Sequence, residues 1–206
     1  NMAEEFSALG LSPKERMTRR LEKMLSLQTP VFLPDEKICF MRTATNIPDI
    51  FTEAEWAEIK DKHYIHELGY MSNLSPDYES VIAEGLLKKH ETADEYGQRA
   101  INAIINLADR YCTEAEKQGK TELAEVLKRV PRYGATSFYE ALQFFRIIHF
   151  SLWLEGNYHI TVGRFDQYMY PYLKADFEKG VLNEDSALEL LEDFFLSFNK
   201  DSDLYP

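Results

Sequence analysis

Apolar residues recur at helical spacing through most of the chain and leave little room for strands. Residues three and four positions apart share one face of an α-helix, so this spacing predicts amphipathic helices. The predicted helices cover 13–27, 53–66, 76–89, 93–118, 121–129, 138–155, 167–179 and 184–198. In 93–118 one face holds Ile101, Ile104, Ile105, Ala108, Tyr111, Cys112 and Ala115. The segment 138–155 is apolar almost all round, which predicts a helix covered on most sides.

Helix-start signals precede four of these segments. Each is a Ser/Thr-x-x-Glu capping box, in which the hydroxyl accepts from a free amide and the Glu reaches back to the cap. The four pairs are Ser12 with Glu15, Thr52 with Glu55, Thr92 with Glu95, and Ser137 with Glu140. Pro13 and Pro76 stand at favoured first-turn positions, the second after Ser75. Gly180 is predicted to end the seventh helix, and Asn183 to cap the eighth.

Evidence for strands is confined to two segments, "KICFMRT" at 37–43 and "YHITVG" at 158–163. Two isolated strands do not make a stable sheet, so 158–163 is predicted to pair with a segment outside this chain. The predicted fold is therefore mainly α, with at most one or two short strands. We expect a single helical domain over 1–206, with a hinge near 128–136.

Composition and charge narrow the function classes. The net charge of −12 would repel phosphates, which argues against nucleic-acid partners and against anionic membrane surfaces. Two cysteines are too few for a disulfide framework. No apolar run reaches the length of a membrane span, and the acidic start does not resemble a secretory leader. These features predict a cytoplasmic protein.

Several familiar site motifs are absent from the sequence. No glycine pair has the spacing of a dinucleotide or phosphate loop, and no nucleophile elbow occurs. His63 and His66 stand near one helical turn apart, but no third ligand accompanies them, so no metal site is predicted. Cys39 and Cys112 lie in apolar segments and are predicted to be small core residues rather than nucleophiles.

The stretch "ITVGRFDQYMYPYLKADFEKG" (160–180) supports two interpretations. One is a strand-to-helix corner, in which Gly163 allows the turn, Arg164 pairs with Asp166, and Asp166 caps the helix. The other is a motif belonging to an enzyme. These residues alone do not decide between the two.

Three segments in order resemble the glycyl radical enzymes, the pyruvate formate-lyase-like family. They are "NLSPDYESVIAEGL" (73–86), "TSFYEALQFFRIIHFSLWLEGN" (136–157) and "GRFDQYMYPYLKADFEKGVLNEDSALELLEDFF" (163–195). The third matches the family form "GRxDQylyPyyxxDlxxG", followed by an "ELLxxxxxK" helix whose last lysine corresponds approximately to Lys200. The residues of the motif itself are Gly163, Arg164, Asp166 and Gln167.

The resemblance implies radical chemistry centred outside this chain. Family members store a radical on a glycine in an "RVxGY"-like loop, installed by a separate radical-SAM activating enzyme, and pass it to a barrel cysteine. That loop is absent here, and neither Cys39 nor Cys112 corresponds to the thiyl cysteine. The chain therefore resembles the N-terminal helical part of a β/α-barrel lyase, dehydratase or acyltransferase of anaerobic metabolism. No catalytic residue and no directly bound cofactor are predicted, and the part alone is expected to be inactive.

The same resemblance names substrate-pocket candidates for a small-molecule substrate. Thr161 stands where the family often has a substrate-contacting serine, two residues before the Gly-Arg pair. Asn73 occupies a position that is often His in the family, and His159 shares a strand face with Thr161 by the period of two. For each, the alternative is a polar side chain satisfied locally.

One rival hypothesis is a free-standing helical binding or assembly module that has lost the barrel; a weaker one is a helical metal protein using His63 and His66. Under the fragment hypothesis, outer helices would lack the strands they pack against. We therefore expect exposed apolar surface around 138–162, and a homodimer or a rearrangement there.

Overall fold

The structure is a computed structural model that describes residues 1–44, 46–63, 73–157 and 159–201. Within these ranges it is mainly helical with one pair of two-residue strands, as predicted. The helices are α1 (Met2–Ala8), α2 (Pro13–Leu27), α3 (Glu53–His63), α4 (Tyr78–Glu84), α5 (Leu86–His90), α6 (Glu95–Lys117), α7 (Thr121–Arg129), α8 (Phe138–Leu154), α9 (Phe165–Glu178) and α10 (Glu184–Ser197). A 3₁₀ turn over Phe198–Asp201 follows α10, and the strands are β1 (Asn73–Leu74) and β2 (His159–Ile160).

Helix α8 is the centre of the core. Its residues from Ala141 to Ile147 are all buried, including the polar Gln143 and Arg146. Helices α2, α4, α7, α9 and α10 all pack on it. The prediction of a helix covered on most sides is confirmed, because a helix that is apolar all round has no face to offer to water.

The capping predictions are confirmed in part. Thr52 and Glu55 form the full reciprocal box: Glu55 N–H donates to Thr52 Oγ1 at 3.3 Å, and Thr52 N–H donates to Glu55 Oε2 at 2.8 Å. Ser12 and Ser137 each accept the amide three residues on. Asn183 caps α10, and Gly180 follows α9 with φ +66°. The Thr92 prediction is wrong, because Asp94 caps α6.

The predicted helix 76–89 is two helices. Asp77 caps α4, and the chain breaks at Gly85, whose φ is +89°. A Cβ there would lie 2.5 Å from the Arg132 carbonyl oxygen, so only glycine allows the 128–136 segment to approach. Helix α1 was not predicted, because seven residues are too few to show a period, although Phe6 and Ala3 are buried.

The predicted strand 37–43 is wrong. Its backbone is irregular, with Phe40 at φ +88°, and side chains rather than a neighbouring strand satisfy its polar groups. The partners are Asp193 for the amides of Lys37 and Ile38, Gln143 for the amide of Cys39, Tyr111 for the amide of Met41, Tyr139 for the carbonyl of Lys37, Lys200 for the carbonyl of Ile38, and Arg146 for the carbonyl of Phe40. This apolar run is buried among helices, and side chains of those helices bond its backbone in place of a neighbouring strand.

The segment 158–163 has a partner within this chain that was not predicted, and its pairing with a segment outside the chain stays a prediction. Within this chain β2 pairs in parallel with β1, Asn73 opposite His159 and Leu74 opposite Ile160. A further bond runs from the Thr161 amide to the Leu74 carbonyl at 2.9 Å. Residues 73–74 were not predicted as a strand, because two residues carry no periodic signal.

Exposed apolar surface does not lie where it was expected. Over the described part of 138–162, the large apolar side chains are buried or half-buried. Exposed large apolar side chains instead occur on α9, α10 and the loop between them: Tyr170, Phe177, Val181, Leu188, Phe195 and Leu196. The expectation failed because α9 and α10 together cover α8.

The segment 128–136 is bonded to the α4–α5 break. Leu86 and Leu87 amides donate to the carbonyls of Pro131 and Arg132, and the Ala135 amide donates to Ile82, at 2.9 to 3.0 Å. The hinge at this segment and the single-domain organisation stay predictions.

Candidate functional site

The strand pair brings two distant parts of the sequence together. Ser75 follows β1 and Thr161 follows β2, so both stand at the carboxyl ends of parallel strands. The Thr161 hydroxyl lies 3.2 Å from the Ser75 hydroxyl, and both side chains are exposed. In open parallel sheets, ligands bind just beyond the carboxyl ends of the strands.

The three pocket candidates therefore meet at one place. The backbones of Asn73 and His159 are paired, and His159 is exposed two residues before Thr161. The Asn73 side chain lies outside the described part of the structure. Their contact with a substrate stays a prediction.

Ser75 is a residue that the sequence analysis missed as a site residue. It was interpreted as a helix start, but Asp77 caps α4 by accepting from the Ser80 amide at 3.2 Å. The Ser75 hydroxyl is therefore free to face Thr161. A sequence signal for this existed: both Ser75 and Asp77 could cap the same helix, and a helix start needs only one capping side chain.

The turn after β2 depends on Gly163 and Tyr168. Gly163 has φ +61°, a conformation that L side chains rarely adopt. The buried Tyr168 donates its hydroxyl to the Val162 carbonyl, which fixes the backbone one residue before the turn. Burial raises the Tyr168 pKa, so the phenol keeps this proton.

Arg164 and Asp166 form the predicted pair, with Arg164 Nη2 3.3 Å from Asp166 Oδ2. Both are largely exposed, and hydrogen bonding to Arg164 lowers the pKa of Asp166. The prediction that Asp166 caps the helix is wrong: α9 begins at Phe165 and has no side-chain cap. Asp166 instead lies in the first turn of α9, where a negative charge interacts favourably with the positive end of the helix dipole. Gln167 is exposed.

A buried Tyr–His pair connects α4 to α8. The Tyr78 hydroxyl lies 3.1 Å from His149 Nδ1, and the Tyr78 ring stacks on Phe145 at 3.9 Å between centroids. The Tyr78 ring also lies 6.4 Å from that of Tyr168. The three matching segments of the resemblance thus share one aromatic cluster. Neither Tyr78 nor His149 was selected from the sequence, because their contact spans 71 positions.

His149 should make stability depend on pH. Burial, assisted by the charge of Arg146, lowers its pKa from 6.5 to about 4. As the pH falls, His149 is therefore protonated in the unfolded chain before it is protonated in the folded chain. The contribution of neutral His149 to the free energy of unfolding is complete above pH 6.5 and is lost between pH 6.5 and 4. The loss attributable to His149 should be about 3 kcal/mol.

Urea unfolding of the wild type and of His149→Gln between pH 7.5 and 4 measures this effect. Carboxylates titrate in both proteins, so their contribution cancels in the difference. The variant should show the shallower pH dependence, and equal slopes would contradict the assignment.

Asp176 holds the start of α8 against α9. The Phe138 amide donates to Asp176 Oδ2 at 2.7 Å, and Asp176 is 3% exposed. This bond joins the "SFYEALQ" helix start to the "DFEKG" end of the following segment. The carboxylate supplies an acceptor at the positive end of a long helix.

Neither cysteine stands at the strand edge. Cys39 is fully buried, with its amide bonded to Gln143, and burial raises its thiol pKa well above the ordinary value. Cys112 is buried on α6 with its thiol 3.5 Å from the Ala124 carbonyl. Both are core residues, as predicted.

His63 and His66 stand close in the sequence, which raises the question of a metal site. Among the described residues, no group of three or more His, Cys, Asp and Glu could hold a metal ion. The His63 side chain and His66 fall outside the described part of the chain. In the ranges that the structure describes, no helix combines the length and apolar character needed to cross a bilayer.

Comparison with known families identifies the chain. A family model described as pyruvate formate lyase-like matches residues 43–205, well over half of the sequence. The chain belongs to the pyruvate formate lyase-like family, and the resemblance that the sequence motifs indicated is confirmed.

Two curated relatives are a dehydratase and a lyase. The chain is 27% identical over 137 residues to trans-4-hydroxy-L-proline dehydratase of Clostridioides difficile, covering 66% of this chain and 17% of that protein. It is 37% identical over 103 residues to isethionate sulfite-lyase of Oleidesulfovibrio alaskensis, covering 48% of this chain and 12% of that protein. The match spans less than a fifth of either relative.

A solved structure shows the same fold. The glycerol-bound form of the B12-independent glycerol dehydratase from Clostridium butyricum superposes with a TM-score of 0.75 at 20% identity. The superposition covers 100% of this chain and 37% of the dehydratase. The helices therefore have the arrangement found in part of that dehydratase.

Proposed function

We propose that this chain is the N-terminal helical part of a glycyl radical lyase or dehydratase, and that it contributes one wall of the substrate pocket. The observation that carries the proposal is the parallel pairing of Asn73 with His159, which joins the first resembling segment to the residues just before the Gly163-Arg164 motif. In the proposed parent enzyme this parallel strand pair belongs to a barrel. In such barrels, residues at the carboxyl ends of several strands hold the substrate.

The exposed Ser75–Thr161 pair would contact a small polar substrate. Two hydroxyls joined by one hydrogen bond retain one donor and several lone pairs for a ligand. The pair carries no charge, so it suits a hydroxyl or carbonyl group rather than an isolated anion. Tyr168 and Gly163 fix the backbone on one side, and Asp77 fixes it on the other.

The radical chemistry would come from residues outside this sequence. A glycyl radical, installed by a radical-SAM activating enzyme, and a barrel cysteine would complete the site. The buried Cys39 and Cys112 supply neither part, so the 206-residue chain alone should be inactive. An anaerobic, cytoplasmic setting and a homodimer belong to the same proposal.

The source gene tests this proposal. The reading frame should continue beyond the codon for Pro206, through a cysteine and on to an "RVxGY"-like glycine loop. A stop codon directly after Pro206 would overturn the proposal and would favour a helical module that works without a barrel.

A further inference from the structure

A groove opens on the side of α7, away from the Ser75–Thr161 pair. Its volume is about 660 Å³, and it lies between α7, the first turn of α8 and the corner joining α9 to α10. This volume is in the range of small-molecule sites. No residue of the proposed substrate wall lines it.

The buried carboxylate of Asp176 lines this groove. Asp176 is 3% exposed, and Oδ2 accepts the Phe138 amide at 2.7 Å. Its other oxygen, Oδ1, has no hydrogen-bond partner among the described residues, and no cationic side chain there pairs with this carboxylate. A carboxylate accepts at both oxygens, so one acceptor remains for a ligand.

The charge of the lining is negative on balance. Four carboxylates (Glu122, Glu125, Glu140 and Asp176) face two cations (Lys128 and Arg129). Both cations are already occupied: Lys128 bonds Glu125 at 2.7 Å and Glu116 at 3.1 Å, and Arg129 lies 3.4 Å from Glu140. The groove therefore lacks a free positive charge for an anionic ligand, whereas a cation would meet uncompensated carboxylate.

Apolar side chains form the remaining walls. Val126 and Leu190 are buried along the groove, and Leu182 lies half-buried beside them. At the rim Tyr133 is 52% exposed and Val181 is 64% exposed, so both offer apolar surface that a ligand would cover. An aromatic face at the rim also favours a cationic group.

We propose that this groove binds an organic cation, a primary ammonium or guanidinium group carried on a short apolar body. The cationic head donates to Asp176 at the base, and the apolar body lies between Val126, Leu182 and Leu190. The cation can be a free amine or the side chain of a Lys or Arg residue. The site is separate from the proposed substrate wall, so it stands or falls independently of the radical chemistry.

Titration of the 206-residue chain with benzylamine tests the site, followed by calorimetry and by ¹H–¹⁵N shifts. Benzylamine should bind at one site and shift the amides of Phe138 and Leu182. Benzyl alcohol, which has the same ring without the charge, should bind at least tenfold more weakly. Nα-acetyl-lysine amide identifies the source, since tighter binding than benzylamine indicates a protein side chain and weaker binding a free amine.

Asp176→Asn should weaken benzylamine at least tenfold while retaining an acceptor for the Phe138 amide. Asp185→Asn, which removes the same charge from an exposed position on α10, should leave binding unchanged. If Asp176→Asn does not fold, Val181→Lys places an ammonium at the exposed rim and should weaken benzylamine in a folded protein. Absence of saturable binding by both amines, or equal affinity in a folded Asp176→Asn, would overturn the proposal.

Discussion

Replacing Arg146 with methionine is expected to lower the free energy of unfolding by about 3–5 kcal/mol. Arg146 is fully buried and forks onto Asp201, with Nη2 2.7 Å from Oδ1. Nη2 also donates to the Phe40 carbonyl at 2.7 Å. Methionine fills much of the volume but leaves the Asp201 carboxylate buried without its cation, and removing one partner of a buried pair costs far more than removing both.

Chemical unfolding in urea, monitored by circular dichroism, measures this change. Arg164→Met is the matched control, since its ion pair with Asp166 is exposed on both sides and should contribute nothing that can be resolved. Asp201→Asn should also be destabilising, because it removes the charge facing Arg146. A loss below about 1 kcal/mol in Arg146→Met would mean that the buried pair does not hold the 3₁₀ turn in place.

Gly134→Ala is expected to cost about 3 kcal/mol, at the upper end of what an added core methyl costs. A Cβ on Gly134 would overlap the Ala83 carbonyl oxygen and would lie 2.7 Å from the Ala83 carbonyl carbon. Both are backbone atoms, so no side chain can turn aside and the 128–136 segment must move away from α4. The bond from the Ala135 amide to Ile82 would be strained in the same movement.

Thermal and urea unfolding of this variant should be compared with Gly119→Ala. Gly119 has φ +72° but no atom within 4 Å of an added Cβ, so that change costs only the conformational strain, about 1–2 kcal/mol. A Gly134→Ala protein as stable as the wild type would show that the segment yields easily. That result would support the predicted hinge at 128–136.

The helices were predictable where the sequence repeats its signal over several turns. Pro13–Leu27 and Thr121–Arg129 have the predicted bounds, because each has a polar start and a complete apolar face. The break at Gly85 was missed because its cause lies far along the chain, in the approach of Arg132. A local sequence pattern indicates which residues form a helix, but it does not indicate which distant segment of backbone packs against that helix.

The segment 37–43 was predicted as a strand although its backbone is irregular. Its apolar residues are buried as a strand's would be, yet Gln143, Arg146 and Lys200 replace the neighbouring strand. Sequence periodicity reports burial and does not report which groups satisfy the backbone.

The candidate site was accessible only in part from the sequence. The motif resemblance selected Thr161 and Asn73 separately, but their adjacency depends on a two-residue strand pair that leaves no periodic trace. Ser75 and the Tyr78–His149 pair were missed for the same reason, since each acts through a contact more than 70 positions away.

The proposed function requires that this chain is one part of a glycyl radical enzyme and does not carry the radical itself. Electron paramagnetic resonance can measure this after anaerobic incubation of the chain with S-adenosylmethionine, a reductant and the activating enzyme from the source organism. The 206-residue chain should give no glycyl doublet, while the product of the complete reading frame should give one. A doublet from the 206-residue chain alone would show that the chain carries a radical glycine of its own and would overturn the proposed function.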